Sequence, residues 1–238
     1  WTRTQLDKEA ADGSTSLVMY MDQLKSLDPL KDDIHLPGWD ASYTQAEVRD
    51  LIKAYSALGE EGLWRNLEKF LKKIIPVAES CGVTMAIHPD DPPYPIFGIP
   101  RIITNERNID RMLNIVNSPA NSLCFCTGSL GCAAFNDIPK MVRKYSEMGR
   151  IVFMHIRQVK LLEDGSFEER GHLSKDGSLD MYEIVKALVD TGFDGYVRPD
   201  HGRMIWGESG KPGYGLFDRA LGAAYINGLF EAVEKEKK

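Results

Sequence analysis

The sequence predicts an α/β protein of the (β/α)8 class, the TIM barrel, because short apolar strands alternate with amphipathic helices. Four of the predicted strands follow residue 82, at 83–87, 122–125, 151–154 and 196–199. Each of them runs into a side chain that can bind a metal ion, namely His88, Cys126, His155 and Asp200. Because the carboxyl ends of barrel strands meet on one face, we expect these four side chains to converge there.

Two long helices are predicted before the first of these strands. The first begins at Thr44, whose side chain and Glu47 form a capping-box pattern, and it ends at Gly59. The second begins near Glu61 and places apolar residues on one face at helical spacing. We expect it to continue weakly, if at all, past Pro76, because proline removes a backbone hydrogen bond, and to end before Gly82.

The later helices alternate with the strands. We predict them at 108–116, at 137–145 with Asn136 as the cap, at 180–190, and from 216 to the end of the chain. Residues 161–179 are polar and are predicted to form a loop.

The 238 residues are enough for a single large α/β domain. Turn signals fill residues 4–45, which we expect to form a long loop, as in a lid or an interface element. At ~30 residues per unit, four strand–helix units leave roughly 100 residues of an eight-stranded barrel unaccounted for. We therefore expect the chain to cover only the C-terminal part of a barrel; the alternative is a complete smaller domain with a divergent N-terminal half.

Composition is that of a globular protein, with 43% hydrophobic and 27% charged residues. The net charge of −6 argues against a nucleic-acid partner, which would need a basic surface. No apolar run approaches the ~18 residues of a membrane span. Four cysteines are no disulfide framework, so we expect a reducing, cytoplasmic location.

The four strand-end residues supply two imidazoles, a thiolate and a carboxylate. Imidazole suits Zn, Fe, Co and Mn, whereas a thiolate disfavours Mg and Ca. Any one of these residues alone is more often a packing residue, but their equivalent placement favours metal binding. Cys124 lies deeper on the same strand face as Cys126 and is predicted to fill the core, while Cys81 and Cys132 are expected to be structural or incidental.

Two residues near Asp200 are candidates for proton transfer. His201 follows Asp200 and could exchange a proton with a substrate; the alternative is that it orients Asp200. Tyr214 lies between Gly213 and Gly215, in a loop that brings backbone close to a neighbour, and it could equally be a packed loop tyrosine.

Two arginines, Arg157 and Arg203, could hold a substrate carboxylate in a bidentate contact. Each could equally form a salt bridge with Asp90 or Asp91. The remaining histidines, His35 and His172, lie in polar segments and are expected to be solvated.

Several runs of the sequence resemble the mannonate dehydratase family over essentially the whole chain. They are His88-Pro89-Asp90-Asp91-Pro92-Pro93, Phe125-Cys126-Thr127-Gly128-Ser129, His155-Ile156-Arg157, Asp180-Met181, Arg198-Pro199-Asp200-His201-Gly202-Arg203 and Pro212-Gly213-Tyr214. The resemblance implies a xylose-isomerase-like barrel and a divalent metal, Mn²⁺ or Fe²⁺. It also implies conversion of D-mannonate, a small anionic sugar acid, to 2-keto-3-deoxy-D-gluconate plus water in hexuronate breakdown.

The resemblance also implies roles for individual residues. The family's metal ligands carry over to His88, Cys126, His155 and Asp200, and its proton-transfer pair carries over to His201 and Tyr214. Which of the two is the base stays open at this point. A homodimer is a further expectation.

Two other functions compete with dehydration. A metal-dependent sugar isomerase or epimerase on the same barrel would use the same ligand types without expelling water. A binding or scaffold protein would hold a structural metal with four protein ligands and no open position. The arginines and the tyrosine around the site argue against the scaffold, since a structural ion needs neither.

Overall fold

The chain, in a computed structural model, forms two four-stranded sheets with helices packed around them. The structure describes residues 5–10, 13–28, 44–211 and 213–237. In chain order the strands are β1 (Gln5–Glu9), β2 (Thr15–Met19), β3 (Met85–Ile87), β4 (Asn121–Cys126), β5 (Ile151–Ile156), β6 (Gln158–Leu161), β7 (Phe167–Arg170) and β8 (Tyr196–Pro199).

At least one helix lies between β3 and β4, between β4 and β5, and between β5 and β8. In chain order they are α1 (Met21–Ser26), α2 (Gln45–Ser80), α3 (Glu106–Ile115), α4 (Thr127–Gly131), α5 (Ile138–Glu147), α6 (Met181–Asp190) and α7 (Leu216–Glu236). Helix α5 packs on α6, and α6 packs on α7. Within the described residues, no helix is both long and apolar enough to cross a bilayer.

The four predicted strands form one sheet in the order β3-β4-β5-β8, and every pairing in it is parallel. This is the α/β arrangement that the alternation of strands and helices predicts. Both faces of β4 are buried, and Phe125 and Met154 are fully inaccessible to solvent. The apolar faces of α5 and α6 cover the sheet with residues such as Ile184 and Leu188. This packing holds the strands in place, and with them the side chains at the strand ends.

Helix α2 bears out the predicted start, the break and the end before Gly82, but not the predicted weakening past Pro76. The capping box between Thr44 and Glu47 is present, and Gly59 interrupts the helix with φ 66° and ψ 176°, a conformation that favours glycine. The helix then runs through Pro76 to Ser80, so the expectation that it would fade at Pro76 is wrong. Burial of Ile75 and Ala78 on either side of the proline offsets the lost backbone hydrogen bond.

The segments predicted as loops contain a second, antiparallel sheet, with the order β1-β2-β7-β6. Residues 161–179 are therefore not a loop throughout, because they contain the last residue of β6 and all of β7, which pair as a hairpin. The described part of residues 4–45 likewise contains β1, β2 and α1, while residues 29–43 lie outside the described residues. Pairing of β2 with β7 joins the two segments, a tertiary contact that neither segment signals alone.

The N-terminal cap of α5 also differs from the prediction by one residue. The side chain of Asp137, and not that of Asn136, accepts a hydrogen bond from the backbone N–H of Lys140. Asn136 instead donates its amide to the backbone carbonyls of Thr104 and Leu130, because the turn before the helix directs it inward.

Candidate metal centre

The four strand-end residues converge as the sequence predicts. One ligand atom from each of His88, Cys126, His155 and Asp200 lies within 4.8 Å of the others. The strand register explains the convergence, because Cys126 of β4 is the direct neighbour of His155 in β5. Asp200 follows β8, the next strand of the same parallel sheet.

Contacts outside the cluster orient two of the ligands. The Nδ1 atom of His88 lies 2.7 Å from the carbonyl oxygen of Pro89, so Nδ1–H can donate there and leave the Nε2 lone pair for a metal. The Sγ atom of Cys126, which is fully buried, accepts a hydrogen bond from the backbone N–H of Ser129 at 3.4 Å. A donated N–H of this kind favours the thiolate, the form that binds metals.

Asp200 is the residue that links the cluster. Its Oδ1 lies 3.3 Å from Nδ1 of His155 and accepts a hydrogen bond from the guanidinium of Arg198 at 2.9 Å. Its Oδ2 lies 3.7 Å from Sγ of Cys126 and 3.7 Å from Nε2 of His201. The carboxylate is almost fully buried, so these neighbours replace the water that would otherwise solvate its charge.

The electrostatics of the cluster favour positive charge at its centre. Burial opposes charge on His155, but contacts with Asp200 and Cys126 prevail and raise its pKa to about 9. Burial also opposes charge on Asp200, yet the close contact with His155 and the nearby cations hold its pKa well below the usual range. His88 differs, because burial outweighs its contacts with Asp91 and Asp200 and lowers its pKa.

The donor set fits a divalent transition metal. The buried Nδ1 atom of His155 makes no hydrogen bond, although it points at the centre of the cluster beside Asp200. A buried polar atom without a hydrogen bond is rare and calls for an explanation, and a coordinated ion supplies one. Two imidazoles, one thiolate and one carboxylate match Mn, Fe, Co or Zn better than Mg or Ca.

Cys124 lies on the same strand as Cys126 but outside the ligand set. Burial, followed by the negative charges of Cys126 and Asp200, raises the pKa of the Cys124 thiol to about 12. A thiol that keeps its proton is a poor metal ligand, in keeping with the prediction that Cys124 fills the core.

The two predicted proton-transfer residues lie next to each other beside Asp200. The ring centroids of His201 and Tyr214 are 5.5 Å apart. The backbone N–H of Gly202 donates to the carbonyl of Gly213, and its carbonyl accepts from the N–H of Gly215, which holds the tyrosine loop against the end of β8. Gly213 adopts φ 80°. Burial, and then the charge of Asp200, raises the pKa of Tyr214, so its phenol stays protonated at neutral pH.

His201 is also held from its other side by a carboxylate. Its Nδ1 atom lies 2.8 Å from Oε1 of Glu169, which β7 carries, and both side chains are almost fully buried. No sequence pattern signals Glu169, because it lies in the polar run Phe167–Arg170, within the segment predicted to form a loop. Only the pairing of β6 with β7 brings it to the site.

The two predicted substrate arginines bind carboxylates of the protein itself. The guanidinium of Arg157 lies 2.7 Å from Asp91, and the Arg157 side chain is 1% exposed. The guanidinium of Arg203 donates to both carboxylate oxygens of Asp218, at 3.1 and 3.0 Å. These contacts favour the salt-bridge alternative for both arginines, with Asp91 as the partner of one and Asp218, which the sequence had not suggested, as the partner of the other.

Close packing of Gly128 helps to hold Arg157 in this position. A Cβ atom on Gly128 would lie 2.0 Å from Nε of Arg157, so only glycine fits between α4 and the guanidinium. The arginine side chain therefore fills a space that the backbone leaves for it.

Of the two histidines expected to be solvated, the structure describes His172. The expectation that His172 is solvated is wrong, because it is 5% exposed and its Nε2 lies 3.2 Å from the carbonyl oxygen of Ile156. The cause is the β6–β7 hairpin, which folds the segment inward. His35 and Pro212 lie outside the described residues.

A cavity of about 450 Å³ opens beside His88. Tyr55 and Leu63 of α2, Asp90 and Arg101 are among the residues that line it. Its size is within the range of small-molecule sites, and one of the candidate metal ligands, His88, forms part of its wall.

The chain is similar to known mannonate dehydratases over its whole length. A family model described as D-mannonate dehydratase (UxuA) matches residues 1–238. A mannonate dehydratase of Streptococcus uberis is 52% identical over 238 residues, which are 100% of this chain and 68% of that protein. One of Oceanobacillus iheyensis is 53% identical over 234 residues, 98% of this chain and 66% of that protein.

Solved structures agree with the sequence relatives. The crystal structure of mannonate dehydratase from Streptococcus suis serotype 2 is 46% identical, with a TM-score of 0.90 over 100% of this chain and 64% of that one. A D-tagatose 3-epimerase-like protein, 16% identical, has a TM-score of 0.53 over 92% of this chain and 86% of that one, a likeness of fold alone. The chain thus spans about two thirds of the length of the mannonate dehydratases it matches. From the family model and from relatives about half identical in sequence, we conclude that the chain belongs to the D-mannonate dehydratase family.

Proposed function

We propose that the protein dehydrates D-mannonate to 2-keto-3-deoxy-D-gluconate and water with the help of one divalent metal ion. The observation that carries this proposal is the convergence of four metal-binding side chains beside His201 and Tyr214, in a member of the D-mannonate dehydratase family. The similar mannonate dehydratases of other bacteria support the same substrate.

His88, Cys126, His155 and Asp200 would hold the ion, and we propose Mn²⁺ or Fe²⁺. When bound, the ion would stabilise the negative charge that develops on the substrate as its C2 proton leaves. The buried carboxylate of Asp200 and the hydrogen-bonded imidazole of His88 support this assignment, because both are held in place before any ligand arrives.

The reaction needs a base and an acid. A base takes the proton on C2, the electron pair of that bond forms the C2–C3 double bond, and the C3–O bond breaks. The leaving hydroxide takes a proton and departs as water, and the enol that results becomes a ketone when C3 gains a proton and the hydroxyl on C2 loses one. We propose His201 as the base and Tyr214 as the acid, since the raised pKa of Tyr214 keeps its proton available.

The setting of the reaction is part of the proposal. We propose a cytoplasmic enzyme of hexuronate breakdown whose substrate is a small anionic sugar acid. The adjoining cavity supports a substrate of this size. Because Arg157 and Arg203 already have carboxylate partners, we propose that they shape the site by holding Asp91 and Asp218. A homodimer stays a prediction.

The test is to incubate the full-length, Mn²⁺-loaded protein with D-mannonate and to identify the products by mass spectrometry. We expect a 2-keto-3-deoxy acid whose mass is lower than that of mannonate by one water. A product with the mass of mannonate would support the sugar isomerase or epimerase instead. A matched sample treated with a chelator should form no product.

A further inference from the structure

His201 presents its two ring nitrogens to opposite neighbours. Nδ1 lies 2.8 Å from Oε1 of Glu169, and Nε2 lies 3.7 Å from Oδ2 of Asp200, on the side of the metal ligands. The ring is 4% exposed, so it cannot turn freely to water. Its orientation therefore decides which nitrogen faces a substrate bound beside the metal centre.

Glu169 lies in the interior of the molecule, where a carboxylate needs a compensating donor. It is 3% exposed, and it lies on the same face of β7 as Phe167, two residues earlier, which is fully buried. Burying a charged carboxylate is costly unless it is paired and hydrogen-bonded. The imidazole of His201 at 2.8 Å and the guanidinium of Arg157 at 3.5 Å supply that compensation.

The distances also indicate which ring nitrogen carries the proton. A carboxylate can only accept a hydrogen bond, so Glu169 requires the proton on Nδ1 of His201. The guanidinium of Arg157, which also lies 3.5 Å from Nδ1, would favour the opposite tautomer. The contact with the carboxylate decides between the two tautomers, because it is much the shorter and a contact of 3.5 Å is at the limit of a hydrogen bond.

We propose that Glu169 is a positioning residue, which holds His201 with its proton on Nδ1 and its unprotonated Nε2 facing the metal ligands. The proposal rests on the proposed function, in which His201 takes the C2 proton of the substrate. Only the nitrogen without a proton can accept one, so the tautomer set by Glu169 is the one that the base needs. Carboxylate–histidine pairs in hydrolases work in this way, and replacing the carboxylate by an amide there costs about 10⁴-fold in rate.

The first measurement is the tautomer of His201 in the full-length protein. Two-bond ¹⁵N–¹H NMR spectra of protein labelled at histidine and loaded with diamagnetic Zn²⁺ would be recorded at pH 8. The chain has five histidines, and the signals of His201 are those that disappear in His201→Gln. We expect a neutral ring with its proton on Nδ1. A proton on Nε2, alone or together with one on Nδ1, would overturn the proposal without any variant of Glu169.

The second measurement compares Glu169→Gln with Glu168→Gln. The control is well matched, because Glu168 is the adjacent residue, is equally buried, and bonds Tyr20 and Arg170 in place of His201. In Glu169→Gln we expect kcat to fall by about 10²-fold or more, with KM and bound metal near wild type and the proton moved to Nε2. Glu168→Gln should leave the tautomer unchanged.

The outcomes separate this proposal from the proposed function. If Glu169→Gln keeps the tautomer and kcat of the wild type, Glu169 has no positioning role. If KM, metal content and thermal stability change together while the tautomer stays, its role is structural and the proposal is overturned. If the wild type is inactive on mannonate, the proposed function fails, while the NMR spectra still show whether Glu169 sets the tautomer.

Discussion

The Nδ1 atom of His155 lies 3.3 Å from Oδ1 of Asp200, and this pair joins two neighbouring parallel strands at the centre of the site. Strands β5 and β8 are in register, with Ile156 opposite Pro199, so the side chains at their ends must meet. The buried imidazole nitrogen makes no hydrogen bond there. A position of this kind suits a cation shared by both residues.

Removing the thiolate should weaken the metal site. Cys126→Ser replaces the only soft ligand of the set, so we expect metal affinity to fall by more than the ~10–100-fold that loss of an outer partner costs. The measurement is metal content by mass spectrometry after dialysis against graded chelator. Cys124→Ser is the matched control, because Cys124 is buried on the same strand but is not part of the cluster. Equal metal loss in both variants would contradict the assignment.

Proton transfer should depend on both ring residues. We expect His201→Ala and Tyr214→Phe each to lower kcat by about 10²–10⁴-fold while the metal stays bound. The double variant should lose less than the product of the two single losses, because the two groups serve one reaction. Steady-state kinetics with mannonate, together with metal analysis, provide the check. If both variants react at nearly the wild-type rate, the acid and the base are other groups.

The guanidinium of Arg157 should matter for stability. Arg157→Met keeps much of the apolar volume but removes the buried charge that pairs with Asp91, so we expect the unfolding free energy to fall by about 3–5 kcal/mol. Lys72→Met is the control, since the exposed pair of Lys72 with Glu68 contributes about 0–1 kcal/mol. Urea denaturation measures both. If Arg157→Met keeps its stability and only raises KM, the arginine binds substrate.

The phenol of Tyr145 should make stability depend on alkaline pH. Its hydroxyl donates to the carbonyl oxygen of Glu106 and to Asp110, so Tyr145→Phe should cost about 0.5–1.5 kcal/mol at pH 8. Burial, and then the charge of Asp110, raises the pKa of Tyr145 above its usual value in the folded state. The stability from the phenol is therefore full below the unfolded pKa of about 10 and is lost as pH rises beyond it.

The wild type should accordingly lose its advantage over Tyr145→Phe at high pH. With an unfolded pKa of about 10, the difference should shrink by about 0.8 kcal/mol at pH 10.5. Urea denaturation of both proteins at pH 8 and 10.5 tests this. A difference that stays constant or grows would show that the folded phenol ionises at least as readily as the unfolded one.

The metal ligands could be predicted from the sequence because each lies at the end of a short apolar strand. Such strands are recognised from local pattern alone, and their parallel pairing brings the four ends together. His88 and Asp200 are far apart in the chain, yet nothing beyond the repeated strand–helix unit was needed to place them at one site. The break of helix α2 at Gly59 was predictable for the same reason, since it depends on a single residue.

The β6–β7 hairpin could not be predicted in this way. Its sequence is polar, and the burial of Glu168 and Glu169 is offset by partners from distant parts of the chain, Tyr20 and His201. Burial of charged residues follows from tertiary contacts, which local sequence does not encode. Arg157 presents the same difficulty, because only the structure shows that Asp91 takes the place of a substrate carboxylate.

The most direct test of the central claim is to run the reaction in D₂O with the full-length, Mn²⁺-loaded protein and unlabelled D-mannonate. Dehydration through loss of the C2 proton predicts a 2-keto-3-deoxy acid that carries one deuterium at C3, which ¹H NMR and mass spectrometry would show together. A product that has kept all the oxygens of mannonate and carries deuterium at C2 would contradict the account. It would assign these four metal ligands to an isomerase or an epimerase.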